Sequence, residues 1–287
     1  MDRKRQKAVI LTLVAAALWG TSFPVIKVGL TDVNPSVFLF YRFLIASSIL
    51  LVFFFSMRMN LKIFLNRNLV MLGFMFSLSF FFQYVGQTAT EAGEAAVLLN
   101  TTPIIVPLMS YFAINERLGA RKYSAAGLGM IGVVFMSGVL SPSNVGSTDF
   151  GVALMLFSAV ATSVYIIGTK RLSSEIRPME FYPPVFVYGT AFMFVYTIAF
   201  GNGYTAIWGD PLSVSAILYL SIACSILPFF LWYWGLQHLS ATASSVVTLF
   251  EPVVAIIVSV IFINELFGLM QLVGTAFIFT AIVVISR

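Results

Sequence analysis

The sequence holds one cysteine, Cys224, and one histidine, His238. That scarcity excludes an intramolecular disulfide, a cysteine cage for a metal and any multi-histidine metal site. Charge is also sparse: 16 basic and 11 acidic residues make up 9% of 287, where a soluble domain of this length carries about 70 charged residues. What is present instead is apolar, with 60% hydrophobic residues, 29 Phe, 11 Tyr and 4 Trp and a mean hydropathy of +0.98. A water-soluble fold cannot hide that much apolar surface, because surface grows too fast with size. A cytosolic enzyme, a DNA-binding domain and a disordered tail are thereby excluded, and the solvent for most of the chain is lipid.

In hydrocarbon every backbone N–H and C=O needs a partner inside the structure, which leaves helices or closed barrels. The apolar runs are continuous rather than alternating, which disfavours a barrel. Ten stretches reach the roughly 20 apolar residues a spanning helix needs: 8–30, 36–57, 68–88, 93–114, 122–140, 150–170, 180–200, 212–236, 241–263 and 268–286. Polar or Gly/Pro punctuation separates them, as at Asp32-Val33-Asn34-Pro35, Ser141-Pro142-Ser143-Asn144 and Gly201-Asn202-Gly203. The first stretch carries a leader-like pattern, with Arg3, Lys4, Arg5 and Lys7 ahead of Ala15-Ala16-Ala17. Its apolar run resumes past the alanines, so it is expected to stay as a helix.

The chain repeats itself. Residues 80–119 align without gaps on 229–268, the best anchor being Ile114-Asn115-Glu116 with Gly119 against Ile263-Asn264-Glu265 with Gly268. Upstream, Lys27, Pro35 and Phe38 fall on Lys170, Pro178 and Phe181. The expected fold is an all-α membrane protein: a first five-helix repeat over 1–140, a linker over 141–149, and a second five-helix repeat over 150–287. Five is odd, so the second copy enters the membrane upside-down relative to the first, the inverted repeat common in secondary transporters. With the N-terminus in the cytoplasm, every basic residue except Lys27 and Arg42 falls in cytoplasmic segments, while Asp32, Glu91, Glu94, Asp149, Asp210 and Glu265 fall outside. The basic balance thus reflects orientation in a membrane and not a nucleic-acid partner.

Ionisable groups in mid-membrane are costly and mark either function or a structural pair. Three qualify: Lys27, Arg42 and Glu251. Burial disfavours the charged form of Glu251, which makes it a candidate for binding a substrate amine or taking up a proton, and a carboxyl bonded to a neighbouring helix is the bland alternative. Pro252 beside it removes a backbone donor and loosens the helix. In the first repeat, Thr102 stands in place of Glu251 and Pro103 in place of Pro252, so the halves are chemically unequal. Lys27 is expected to snorkel or to pair with Asp32, whereas Arg42 lies deeper. Among neutral residues, Trp19, Gln83, Tyr84, Gln87, Asn100, Tyr165, Trp232, Tyr233 and Trp234 could line a pocket, and the amides stand out because they are disfavoured against lipid. His238 reads as interfacial ahead of Ser240, a helix cap. Glu91 and Glu94 suit a helix N-terminus, Glu116 and Glu265 read as structural, and Ala125 and Gly129 would allow close packing. No phosphate loop, nucleophile–base arrangement or metal spacing occurs. Neither enzyme activity nor a cofactor is therefore expected.

Trp19-Gly20-Thr21-Ser22-Phe23 with Lys27, Arg42-Phe43, Pro103 with Glu116, and Glu251-Pro252 with Glu265 together resemble the drug/metabolite transporter superfamily, in its EamA branch. The resemblance covers essentially the whole chain. The opening motif is recognisable in one half only, because helix 6 has Thr162, Ser163 and Tyr165 where helix 1 has Trp19 and Gly20. The resemblance implies ten helices with both termini cytoplasmic, a central cavity walled by helices 1, 3, 4, 6, 8 and 9, and carriage of small metabolites by alternating access. Export of amino acids or related compounds across a bacterial inner membrane is the first expectation. Broad drug or cation efflux is the alternative, with a membrane-embedded enzyme or a non-transporting receptor further off. The expected substrate-binding set is Trp19, Arg42, Gln83, Asn100, Tyr165, Trp232 and Glu251, and the coupling or gating set is Glu251, Pro252, Pro103 and Lys27. The partners expected are a small-molecule metabolite, membrane lipid and a proton as coupling ion, with monomer or homodimer left open.

Overall fold

The computed structural model describes residues 3–30, 33–90, 92–116, 119–136, 149–200, 211–263 and 268–286. Among the described residues every regular element is a helix, the arrangement that satisfies a backbone in hydrocarbon. In chain order these are α1 (Arg3–Gly29), α2 (Pro35–Ser56), a short 3₁₀ turn (Leu61–Leu65), α3 (Arg67–Gln87), α4 (Ala92–Leu99), α5 (Thr102–Ile114), α6 (Ala120–Met136), α7 (Asp149–Leu172) and α8 (Pro178–Phe200). There follow α9 (Pro211–Ser221), a π turn (Ile222–Ile226), α10 (Leu227–His238), α11 (Ala241–Val247), α12 (Phe250–Ile263) and α13 (Leu269–Ser286). Among the described residues eight segments are long and apolar enough to cross a membrane: α1, α2, α3, α7, α8, α13, and the composites 211–238 and 241–262. Of the ten expected stretches, 93–114 is a broken pair, α4 and α5, and 122–140 is the 17-residue α6 as far as Met136.

The breaks have a common cause. α4 gives way to α5 just before Pro103, and α11 gives way to α12 just before Pro252. Proline lacks the N–H that would bond four residues back, and its ring crowds that carbonyl. Pro103 and Pro252 are matched positions in the alignment of 80–119 on 229–268, so the two aligned segments are cut at the same place. The π turn follows the same logic, because Pro228 cannot bond the Cys224 carbonyl. Elsewhere local chemistry sets the ends. Asn34, Asn66 and Ser240 accept backbone N–H bonds at the starts of α2, α3 and α11. Asn115 closes α5 in the left-handed conformation at φ 52°, a place that asparagine tolerates well.

Hydrogen bonds tie the two ends of the bundle. At the end where α1 begins, Arg5 donates to the Ile285 carbonyl (3.0 Å), Lys170 to Leu236 (2.7 Å) and Gln237 to Ser173 (2.9 Å). At the opposite end, Lys27 donates to the Thr90 carbonyl (2.8 Å), Asn34 to Phe200 (3.1 Å) and Ser213 to Gly29 (3.2 Å). α3 packs on α7 and α8, α10 on α1, α9 on α2, α12 on α1, α5 on α7, and α6 on α13. Rings from α2, α3, α8 and α10 form the centre: Phe43 lies 4.9 Å from Phe76, Phe76 5.0 Å from Phe186, and Phe186 5.6 Å from Phe229. The outside is apolar too, with Val52, Phe112, Phe150, Ile198, Phe262 and Leu269 exposed, as a lipid-facing surface requires. Gly129 is pressed against Leu249, where a Cβ would collide, and Ala125 is fully buried. The close packing of α6 expected from these small residues is therefore present.

Candidate functional site

A cavity of about 750 Å³, its mouth included, opens where α1, α2, α3, α7, α10 and the two broken helices meet. Its wall contains Trp19, Arg42, Gln83, Asn100, Tyr165, Trp232 and Glu251, so all seven side chains expected to bind substrate come together here. Pro103 and Pro252 are buried just behind it, at the breaks that bring Asn100, Thr102, Thr248 and Glu251 to the wall. Lys27 stands apart at the far end of α1, capping the Thr90 carbonyl. Its expected partner Asp32 lies outside the described residues, as do Glu91, Glu265, Asp210 and the linker up to residue 148. Glu94 is in α4, and its side chain too lies outside the described set.

Arg42 is 1% exposed. Its guanidinium donates to the Tyr84 hydroxyl (2.6 Å), the Ser225 hydroxyl (2.9 Å) and the Cys224 carbonyl (3.3 Å). The Phe43 and Phe80 rings stack over it at 5.0 and 5.3 Å. Every one of these partners is neutral, and no carboxylate pairs with Arg42 among the described residues. The Cys224 carbonyl is available because Pro228 leaves it without a helical donor, and it also accepts from Trp19 Nε1 at 3.1 Å. One proline on α10 thus orients two side chains from α1 and α2.

Glu251 is 8% exposed and has no cationic partner among the described residues. Its place depends on Gly20: a Cβ there would come within 2.6 Å of the Glu251 carbonyl and 2.7 Å of Val254, so only glycine lets α1 and α12 approach this closely. Asn100, which donates to the Ala96 carbonyl at 2.9 Å, faces the Glu251 carboxyl. Trp19, Trp232 and Tyr165 form an aromatic wall. Trp19 lies 6.1 Å from Trp232, and Trp232 stacks on Tyr165 at 6.2 Å and 16°. Ser79 and Thr162 bond across α3 and α7 at 2.5 Å.

Four other candidates stand elsewhere. Tyr84 holds Arg42, and Tyr233 donates to the Ile176 carbonyl at 2.8 Å. Trp234 stacks with His238 (4.2 Å) and lies under the Lys7 ammonium (4.9 Å). Gln87 is buried on α3, its amide without a partner among the described residues. Phe76, Ser79, Phe80 and Phe229 line the cavity without having been singled out by sequence. The signal was available, because Phe76, Ser79, Phe80 and Gln83 share one helical face by spacing. A second groove of about 920 Å³ between α3, α5 and α7 is lined by Met71, Met75 and Met109 and holds none of the expected residues.

Glu116 lies outside the membrane-spanning segments, in the turn after α5. Its carboxylate accepts from Lys122 Nζ (2.9 Å) and from the Ala241 backbone N–H (3.1 Å). Burial alone would raise its pKa, but bonds from Lys122 and from Thr242 and Ser240 outweigh burial and hold it below the usual carboxylate value. The structural role expected of Glu116 is thus a bond between the α5–α6 turn and the start of α11.

The EamA-like transporter family matches residues 6–138 and again 149–287. An uncharacterized transporter of Archaeoglobus fulgidus is 30% identical over 275 residues, covering 92% of this chain and 91% of its own. The uncharacterized transporter YetK of Bacillus subtilis is 25% identical over 283 residues, covering 95% and 85%. A solved crystal structure shares the fold with a TM-score of 0.80 at 19% identity, covering 97% of this chain and 96% of its own. With its apolar spanning helices and this match along both halves, the chain is an integral membrane protein that belongs to the EamA-like transporter family.

Proposed function

We propose that the protein carries a small zwitterionic metabolite, an amino acid or a close relative, outward across a bacterial inner membrane by alternating access around the central cavity. The observation that carries this is the pair of opposite charges in one cavity. The Arg42 guanidinium and the Glu251 carboxyl are both buried, neither has an ionic partner among the described residues, and they sit on different helices. A buried charge held only by neutral groups is costly unless something compensates it. A ligand bearing a carboxylate and an ammonium compensates both. Glu251 has the second option of taking a proton, which makes the proton the coupling ion.

The proposed frame is ten crossings in two inverted five-helix repeats, with both termini cytoplasmic. The matched breaks before Pro103 and Pro252 support it. So do Lys27 and Lys170, repeat-matched residues that cap carbonyls near the ends of α3 and α10 at opposite ends of the bundle. With α1 matched to α7, α2 to α8, α3 to α9–α10 and α6 to α13, the observed packing partners also exchange when the halves are swapped. Rocking of one half against the other would expose the cavity to each side in turn.

Screening a metabolite panel for flux in proteoliposomes under an imposed pH gradient tests the proposal. Flux of at least one zwitterion is expected, and Glu251→Gln should abolish its coupling to the gradient with the amount of protein unchanged. Loss of protein together with flux would assign Glu251 a structural role instead. Broad efflux of apolar cations is the second possibility, favoured by the Trp19, Tyr165 and Trp232 wall and opposed by the cationic Arg42. It predicts raised resistance to such compounds on overexpression and little amino-acid flux.

A further inference from the structure

Between the cavity and the end where α1 begins, two polar stripes run down facing helices. On α7, Tyr165 lines the cavity and Thr169 follows one turn on, with Ser173 just past the helix end. Thr248, at the end of α11, lines the cavity, with Ser244 and Ala241 on the same face toward the helix start. α7 and α11 are in contact. Thr169 and Ser244 are fully buried, and with Tyr165 their hydroxyls have no hydrogen-bond partner of good geometry among the described residues. Buried hydroxyls are ordinarily satisfied, and three unsatisfied ones on two contacting elements need a reason.

The end of that line is bolted. Glu116 reaches from the α5–α6 turn to Lys122 and to the Ala241 N–H at the start of α11. Its charge also acts on Lys170, the next residue after Thr169, whose Nζ caps the Leu236 carbonyl of α10. Gln237 to Ser173 and Tyr233 to Ile176 close the same junction. The Glu116–Ala241 bond joins the first half to the second, and the bonds of Lys170, Gln237 and Tyr233 join α10 to α7 and the segment just after it.

We propose that the α7–α11 seam is the occluded leg of the substrate route, and that Glu116 with Lys170 is the latch that keeps it shut. The orphaned hydroxyls are then the lining of a water-filled passage seen while it is closed. They gain water when α11 swings from α7, and that gain offsets the loss of the latch bonds. A polar passage of this kind suits the hydrophilic metabolite proposed above, on which this inference rests, and would be a poor path for an apolar cation.

The test needs no substrate, so its failure is distinguishable from failure of the transport proposal. In a Cys224→Ala background, Thr169→Cys or Ser244→Cys is exposed to a charged, membrane-impermeant methanethiosulfonate from each face in turn. Ser259→Cys, fully buried on α12 and outside the α7–α11 seam, serves as control. Adding Glu116→Gln removes a charge-assisted bond and should speed labelling at both seam positions roughly tenfold, from the face carrying the start of α1 only, with Ser259→Cys unchanged. Lys170→Gln, which keeps the carboxylate, should act in the same direction and serves if Glu116→Gln does not accumulate. Unchanged seam labelling in the latch variants would overturn the proposal. So would an equal rise at Ser259→Cys, which means general loosening.

Discussion

Arg42 illustrates what one residue can and cannot reveal in the sequence. An arginine inside an apolar run was legible as a buried, significant cation, because lipid makes any other placement costly. Its partners were not legible. Tyr84, Ser225 and the Cys224 carbonyl lie far from it in sequence, and the carbonyl is free only because of a proline on another helix. The same holds for Glu251, whose fit against α1 rests on Gly20. Seven polar or aromatic side chains marked in the apolar stretches come together at the cavity wall, while Phe76, Phe80 and Phe229 stand among apolar neighbours, and only helical spacing from Gln83 pointed to the first two. Two outcomes follow at this scale. Replacing Pro228 with Ala restores an N–H to the Cys224 carbonyl and draws it from Trp19 and Arg42. The half-saturating substrate concentration should rise about tenfold while the thermal midpoint holds or rises. A fall in the midpoint with unchanged affinity would contradict the carbonyl's role. Gly20→Val forces α1 from α12 and should destabilise by about 1–3 kcal/mol, read as a lower midpoint in a thermal unfolding series.

Among the elements, the long apolar runs fixed most helices, because only a helix satisfies the backbone in hydrocarbon. The runs could not show that 93–114 and 241–263 are each cut in two, although the prolines responsible were in view. Proline in a membrane helix can kink, break or be absorbed, and neighbouring helices decide which. Nor could they show the π turn, which has no local signature beyond Pro228. The α5–α6 turn makes its own pH prediction. Lys122 on α6, Lys170 on α7 and the start of α11 all face Glu116, and its carboxyl pKa is lowered. Its contribution is therefore complete above the unfolded value of about 4.3 and is lost as pH falls through the lower folded value. The midpoint difference between the native chain and Glu116→Gln should be flat from about pH 8 to 5 and shrink only below about pH 4. A difference that fades near neutrality would mean that the carboxylate is not held by these bonds.

For the whole molecule, the proposed odd repeat makes a firm demand on topology. Reporter tags on the two termini should both read out on the cytoplasmic face, since the ten crossings proposed above would return the chain to its starting side. Tags on opposite faces would remove the inverted arrangement and the rocking mechanism with it. The central claim is narrower and chemical: one cavity holds two groups of opposite charge type, each without an ionic partner among the described residues, and we propose that it selects a molecule that carries both charges. The direct measurement is flux into proteoliposomes of the transported amino acid beside its decarboxylated amine and its methyl ester. Each analogue lacks one charge, so each should lose about tenfold or more in kcat/KM, with Arg42→Met erasing the preference for a free carboxylate. Equal transport of the amine and the parent amino acid would contradict the account.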